Sequence, residues 1–378
     1  MVFTPSLCSA CLVRLVAALL LFHFSLFLFF PSFPQSLSTT YLHWHLSELP
    51  YFQYDFPDSM NDGTVETPSE EPTTAYDNRA SFAPYLLQYL IQARGVCHEN
   101  SLLAALMHLS LDLDPHSVST RSLDEWSRFL DKVVNLINIK LSALEYKVAK
   151  VNHGAGKRVV GSKVVVQTPG GEELPPSSKF YVYVNLASSK ETELATRFTA
   201  REIEFVKWAI GQFCLSSLEI RTIDASSAHA TPLVKEVNRI LIGGGGTWGK
   251  YTSFTVGSSK LFGFSSLTPL ELEKLIVRLC DSKWFYRTER GEVGMDLKCV
   301  VELEEYLLSE YELPECQQCQ KIVTHGVMCG NDACQSHGDS GSSRESWHID
   351  CFQHYIAHVS ERCAACDRSL QTDNIYII

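Results

Sequence analysis

The sequence lacks an excess of positive charge. Its 378 residues contain 32 Lys and Arg against 43 Asp and Glu, which gives a formal net charge of −11. This balance argues against attraction of the whole chain to a nucleic-acid backbone, and leaves a local basic patch open. Hydrophobic residues make up 45% and charged residues 20%, as in ordinary globular proteins. The length is enough for two or three domains.

Cysteine is sparse over most of the chain and concentrated near its end. Six of the 13 cysteines are scattered over the first 315 residues: Cys8, Cys11, Cys97, Cys214, Cys280 and Cys299. The other seven lie between residues 316 and 366. A C-x2-C pair suits a metal better than a disulfide framework, because both thiolates converge at one turn. Zinc bound by thiolates implies a reducing compartment.

The C-terminal cysteines and one histidine form four ligand pairs. The pairs are Cys316-x2-Cys319, Cys329-x4-Cys334, His348-x2-Cys351 and Cys363-x2-Cys366. If alternate pairs share a metal, the chain is cross-braced around two zinc ions. Site 1 is then Cys316, Cys319, His348 and Cys351, and site 2 is Cys329, Cys334, Cys363 and Cys366. Such a small unit has little core, so zinc binding would supply its folding energy.

The C4HC3 order is shared by RING variants, RING-CH domains and PHD fingers. PHD fingers usually carry a tryptophan where this chain has Glu361, so a RING variant is favoured. Four nearby histidines are interpreted as surface or packing residues: His325, His337, His354 and His358. His337 is the first substitute ligand to test, because the spacing from Cys329 to Cys334 is wide. A RING supplies no nucleophile and acts by positioning a ubiquitin-loaded conjugating enzyme.

Hydrophobic periodicity predicts an α+β fold before the zinc region. Capping boxes open helices at Ser122, Thr199 and Thr268, and Thr231-Pro232 starts another helix. Alternation over residues 180–186 and the run 284–286 predict strands, and residues 300–311 predict a last helix. Helices followed by a hairpin, twice over, predict tandem winged helices at residues 81–190 and 191–314, with the RING-type zinc domain at 315–378.

The first 80 residues predict no folded domain. Residues 15–30 are nearly all apolar and resemble a signal-peptide core or a short membrane anchor. Secretion would conflict with the zinc ligands, because these imply a reducing compartment. Residues 1–59 are interpreted as an apolar leader, translated from upstream sequence, with Met60 as the natural start; the alternative is an anchor for a cytosol-facing protein. Residues 60–80 are acidic and contain proline, which predicts disorder.

The order of two winged helices and a C4HC3 variant RING resembles the non-structural maintenance of chromosomes element 1 family. The segments that resemble this family are residues 137–141, 183–185, 199–213 and 347–351. The resemblance implies a RING-type E3 ubiquitin ligase subunit of the complex built on SMC proteins five and six, acting in DNA repair and recombination in the nucleus. It implies a MAGE-like subunit and a kleisin subunit as partners. The net charge of −11 predicts DNA contacts that are weak or indirect.

The expected contacts with the E2 ubiquitin-conjugating enzyme are Gln318, Ala364 and Arg368, and no catalytic nucleophile is expected. RINGs usually place an aliphatic residue before the second ligand, where this chain has Gln318. The 364–365 segment also lacks a proline that many RINGs use. Two alternatives therefore stay open: a non-catalytic structural subunit that braces the complex, and a membrane-anchored RING ligase, which residues 15–30 would require.

Overall fold

In the computed structural model, the chain is described over residues 79–113, 121–186, 198–224, 231–242, 248–331, 334, 344–370 and 374–378. The predictions for residues 1–78, including the apolar leader and the start at Met60, lie outside the described residues. Within the described part, no helix combines the length and the hydropathy needed to cross a membrane.

The first module, residues 79–186, packs three helices on a small antiparallel sheet. Its elements are α1 (Arg79–Gln92), β1 (Val96–His98), α2 (Glu99–Leu113), α3 (Leu123–Leu141), β2 (Tyr146–Asn152), α4 (Lys157–Gly161) and β3 (Lys179–Asn185). The predicted capping box at the start of α3 is confirmed, with Ser122 and Glu125 each bonded to the other's backbone. The strand order is β1-β3-β2. The apolar faces of α1, α2 and α3 form one buried cluster with Val148 and Tyr181 of the sheet.

The second module, residues 198–313, repeats the arrangement. Its elements are α5 (Ala200–Ser216), β4 (Arg221–Asp224), α6 (Pro232–Ile242), β5 (Trp248–Tyr251), β6 (Thr255–Gly257), α7 (Ser258–Leu261), α8 (Pro269–Asp281), β7 (Phe285–Arg287), β8 (Glu292–Met295), α9 (Leu297–Glu302) and α10 (Glu304–Tyr311). The predicted capping boxes at Thr199 and Thr268 are confirmed. One sheet has the order β6-β8-β7. The helices predicted from Thr199, Thr231 and Thr268 are present, whereas β4, β5, β6 and α7 were not predicted from the sequence. The winged-helix assignment itself stays a prediction.

The predicted last helix at 300–311 is wrong as a single element. The chain forms α9 and α10 with a break at Leu303, whose φ of −104° and ψ of 17° leave the helical region. Leu303 is nevertheless buried, and it joins the same core as Leu307. The apolar spacing therefore persists across the break, which is why sequence periodicity did not reveal it.

The zinc module, residues 315–378, contains β9 (Val327–Cys329), β10 (Ser346–Trp347), α11 (Ile349–His358) and β11 (Ile375–Ile377). These strands join β4 and β5 of the second module in a five-stranded sheet of order β10-β9-β11-β5-β4. Strand β11 pairs antiparallel with β9 and parallel with β5. Buried apolar residues from Phe198 to Ile378 belong to one cluster. The zinc module therefore shares both its sheet and its core with the second module.

Candidate metal centre

Two turns of the same design present the C-x2-C pairs. The N–H of Gln320 donates to the carbonyl of Cys316, and that of Asp367 donates to the carbonyl of Cys363. Gln320 and Asp367 have φ values of 59° and 54°. In each case the residue after the second cysteine adopts a left-handed conformation and closes the turn, which directs both thiols of the pair to one point.

The remaining ligand pairs come from a strand end and a helix start. Cys329 is the last residue of β9, and Cys334 follows it five positions later in the sequence. His348 is the N-cap residue of α11, and Cys351 lies in the first turn of that helix. The structure thereby brings the eight predicted residues together in two clusters of four. They are Cys316, Cys319, His348 and Cys351 in site 1, and Cys329, Cys334, Cys363 and Cys366 in site 2.

The clusters have the dimensions of tetrahedral zinc sites. In each, all four ligand atoms lie within 4.8 Å of one another. The Sγ atoms of Cys329 and Cys366 are 3.7 Å apart, and those of Cys334 and Cys363 are 3.6 Å apart. Zn–S bonds of about 2.3 Å in tetrahedral geometry place sulfurs about 3.8 Å apart. Site 1, with three cysteines and a histidine, and site 2, with four cysteines, are thus compatible with two zinc ions.

A hydrogen bond fixes which nitrogen of His348 faces the cluster. Its Nδ1 lies 3.2 Å from Sγ of Cys319, while its Nε2 lies 3.1 Å from the carbonyl oxygen of Ile322. A carbonyl only accepts, so Nε2 carries the proton and Nδ1 is left with its lone pair toward the cluster. His348 is buried, and this hydrogen bond fixes the orientation of its ring.

The zinc module has a small aromatic core. Trp347 and Phe352 are both fully buried, with ring centroids 5.8 Å apart. Tyr355 adds a third ring, 5.2 Å from Trp347.

Among the described residues, the other histidines and cysteines belong to neither cluster. His325 is half-buried and lies 4.8 Å, ring to ring, from His153 of the first module. Burial lowers the pKa of His325 to about 3 and that of His153 to about 4, so both are neutral. His354 and His358 are exposed on α11 and lie against each other. His337 lies outside the described residues. Outside the clusters, the described cysteines are free thiols: Cys97, Cys214, Cys280 and Cys299.

The residues expected to face a conjugating enzyme, Gln318, Ala364 and Arg368, are all exposed. The side-chain amide of Gln318 lies 3.3 Å from Nδ1 of His354 on α11. At Gln318 the surface is therefore more polar than the aliphatic docking surface expected of a RING.

Family models and known proteins resemble this chain over most of its length. The model described as Nse1 non-SMC component of SMC5-6 complex matches residues 84–303. The chain is 44% identical over 336 residues to Non-structural maintenance of chromosomes element 1 from Saccharomyces cerevisiae (strain ATCC 204508 / S288c), covering 82% of this chain and 99% of that protein.

The chain belongs to the Nse1 family. A second model, described as a RING-like domain, matches residues 316–366 of this Nse1-family chain and so spans all eight clustered residues. Among solved structures, a chain of an Nse1-Nse3-Nse4 complex is 17% identical, with a TM-score of 0.48; the match covers 76% of this chain and 95% of that one. The predicted family and the RING-type end of this Nse1-family protein are confirmed.

Sequence reasoning missed the residues that attach the zinc module to the first module. Asp350, directly between the third-pair ligands, accepts hydrogen bonds from the backbone of Lys157 and the hydroxyl of Ser178. Residues 154–156 form a glycine-rich turn. Its positive φ values were predictable from the glycines, but its contact with a segment almost 200 residues later was not.

Proposed function

We propose that this chain is the RING-type E3 ubiquitin ligase subunit of the SMC5-6 complex, with the eight clustered residues as ligands of two structural zinc ions. The observation that carries the proposal is the cross-brace: the first and third ligand pairs meet at one cluster, and the second and fourth at the other. Family membership and the RING-like match over residues 316–366 support the same function.

The proposed catalysis is positional. All clustered thiols are committed to metal, so the domain supplies no nucleophile. The folded zinc module would hold a ubiquitin-loaded conjugating enzyme through the exposed residues Gln318, Ala364 and Arg368, in a geometry that favours attack by a substrate lysine.

The proposed partners are the MAGE-like subunit Nse3 and the kleisin subunit Nse4. These are the partners that the family resemblance implies, and membership of the Nse1 family supports them. The role would be DNA repair and recombination on chromosomes in the nucleus. The net charge of −11 favours contact with DNA through the complex rather than by this chain alone.

A second candidate function is a structural one, in which the zinc module only braces the complex. The polar pair of Gln318 and His354 at the expected docking site favours it. The sheet and core that the zinc module shares with the second module favour it too, since they give the metal-bound fold a structural role of its own.

Zinc content and ubiquitin-chain formation, measured on the full chain with and without Nse3, test the proposal. The wild-type protein should hold two zinc ions and form ubiquitin chains with a conjugating enzyme, most strongly in the presence of Nse3. Cys363→Ser should lower the zinc content and abolish chain formation, because the ligands create the fold. The matched control is Cys280→Ser, a half-buried thiol outside both clusters. If the protein holds two zinc ions but forms no ubiquitin chains under any condition, the structural function is favoured.

A further inference from the structure

The start of α11 is held by the first module as well as by its own ligands. The backbone N–H of Ile349 donates to the carbonyl of Gly154 at 2.9 Å. The N–H of Lys157 donates to Oδ1 of Asp350 at 3.1 Å, and the hydroxyl of Ser178 donates to Oδ2 of Asp350 at 2.6 Å. Three hydrogen bonds thus join the loop 152–157, here called the glycine loop, and Ser178 to the first turn of this helix.

One of these bonds satisfies a backbone group that the helix itself leaves unpaired. The first N–H groups of an α-helix have no acceptor within the helix. Ile349 is the first residue of α11, and the carbonyl of Gly154 accepts the hydrogen bond from its N–H. The side chain of His348, the N-cap residue, makes no capping bond, because its Nδ1 faces the cluster.

The glycines allow the two backbones to approach this closely. A Cβ at Gly154 would lie 2.5 Å from the carbonyl oxygen of His325 and 2.9 Å from the ring of His348. A Cβ at Gly156 would lie 2.7 Å from Cγ2 of Ile349. Both glycines also have positive φ values, of 90° and 83°. The glycine loop is therefore built to lie against the third ligand pair.

We propose that the glycine loop and Asp350 form a brace between the first module and the zinc module, which positions the His348–Cys351 half of site 1. Asp350 is a positioning residue: it contacts the brace and sits between two ligands without being one. The brace makes site 1 dependent on the first module, while site 2 is held within the zinc module. The inference rests on the proposed ligand set but does not depend on ligase activity.

Zinc release from the full chain to a chromogenic chelator tests the brace. Gly156→Ala should speed release from site 1 by about tenfold, the effect typical of losing a residue that orients a metal ligand. Gly171→Ala is the matched control: Gly171 lies in the same module with a φ of 85°, but a Cβ there would meet nothing within 4 Å. Backbone strain is common to the two variants, so their difference reports crowding against Ile349.

Substitutions at Asp350 separate the hydrogen bonds from the charge. Asp350→Ala removes both bonds and should speed release from site 1, and Ser178→Ala removes one and should have a smaller effect. Asp350→Asn keeps an acceptor for Lys157, and its amide can donate to the Ser178 hydroxyl, so release should stay close to wild type. If Asp350→Asn speeds zinc release from site 1 as much as Asp350→Ala does, Asp350 acts through its charge near the helix start, and the brace is refuted.

¹¹³Cd NMR of the cadmium-substituted chain distinguishes the two sites. Site 1 has three thiolates and an imidazole and site 2 has four thiolates, so the two cadmium ions give separate resonances. The site 1 resonance should shift or broaden in Gly156→Ala, and the site 2 resonance should not. Equal behaviour of Gly156→Ala and Gly171→Ala, or a change confined to the site 2 resonance, would overturn the brace. A wild-type chain that holds no metal would instead refute the proposed ligand set.

Discussion

The ammonium group of Lys250 lies 5.6 Å above the ring of Tyr376. The two residues are register partners in the parallel pairing of β5 and β11, so this contact crosses the boundary between the second module and the zinc module. The backbone continues the connection, because the N–H of Thr252 donates to the carbonyl of Ile377 at 2.8 Å. The last strand of the chain therefore joins the two modules.

Truncating a side chain of this last strand should destabilise the whole second half of the chain. Ile377 is 3% exposed and belongs to the shared core. Ile377→Ala should lower the free energy of unfolding by about 2–4 kcal/mol, the usual cost of such a cavity. Denaturant unfolding of the full chain measures it. Val359→Ala is the control, because Val359 is 64% exposed in the same module and should change stability by less than about 0.5 kcal/mol.

Glu99 should make the stability of the first module depend on pH. Burial alone would raise the pKa of Glu99, but hydrogen bonds from Ser177 and Lys150 and the Lys150 charge lower it overall. A carboxyl with a lowered pKa stabilises the fold above its unfolded pKa, and this contribution disappears as the pH falls through the folded pKa.

Glu99→Gln should therefore cost about 1–2 kcal/mol at pH 7, the scale of a charge-assisted hydrogen bond. The difference from wild type should shrink as the pH falls below about 4.3, the ordinary glutamate value. Denaturant unfolding across this range measures it, and effects of acid on the zinc sites cancel between the two proteins. Glu219→Gln, at an exposed pair with Arg221, should change little at any pH. A pH-independent loss in Glu99→Gln would refute the linkage.

Substitution of Gln318 should test whether a conjugating enzyme docks at this residue, as the ligase function requires. Gln318→Asp places a charge at the expected docking site without removing a metal ligand, so zinc content should stay at two ions per chain. If this site receives a conjugating enzyme, chain formation should fall several-fold, as for a rim contact worth about 1 kcal/mol. Gln317→Asp adds the same charge one residue earlier, on another exposed side chain. Equal activity of both variants and wild type would show that the conjugating enzyme does not dock at Gln318.

The sequence by itself determined the local features of this protein. The helix starts at Ser122, Thr199 and Thr268 were predictable because a capping box closes within four residues. The four ligand pairs were predictable for the same reason, since each pair is presented by one short turn or helix start. Their alternating order also indicated which pairs meet, because a cross-brace is the known arrangement of this ligand string in RING-type domains.

Only the tertiary structure decided how the zinc module is attached. The parallel pairing of β11 with β5 and the contact of the glycine loop with α11 join segments that are far apart in the chain. Neither has a periodic pattern in the sequence, since a three-residue strand and a pair of glycines fit many environments. Their role depends on which backbone lies opposite, and that is fixed by packing of the shared core rather than by any local preference.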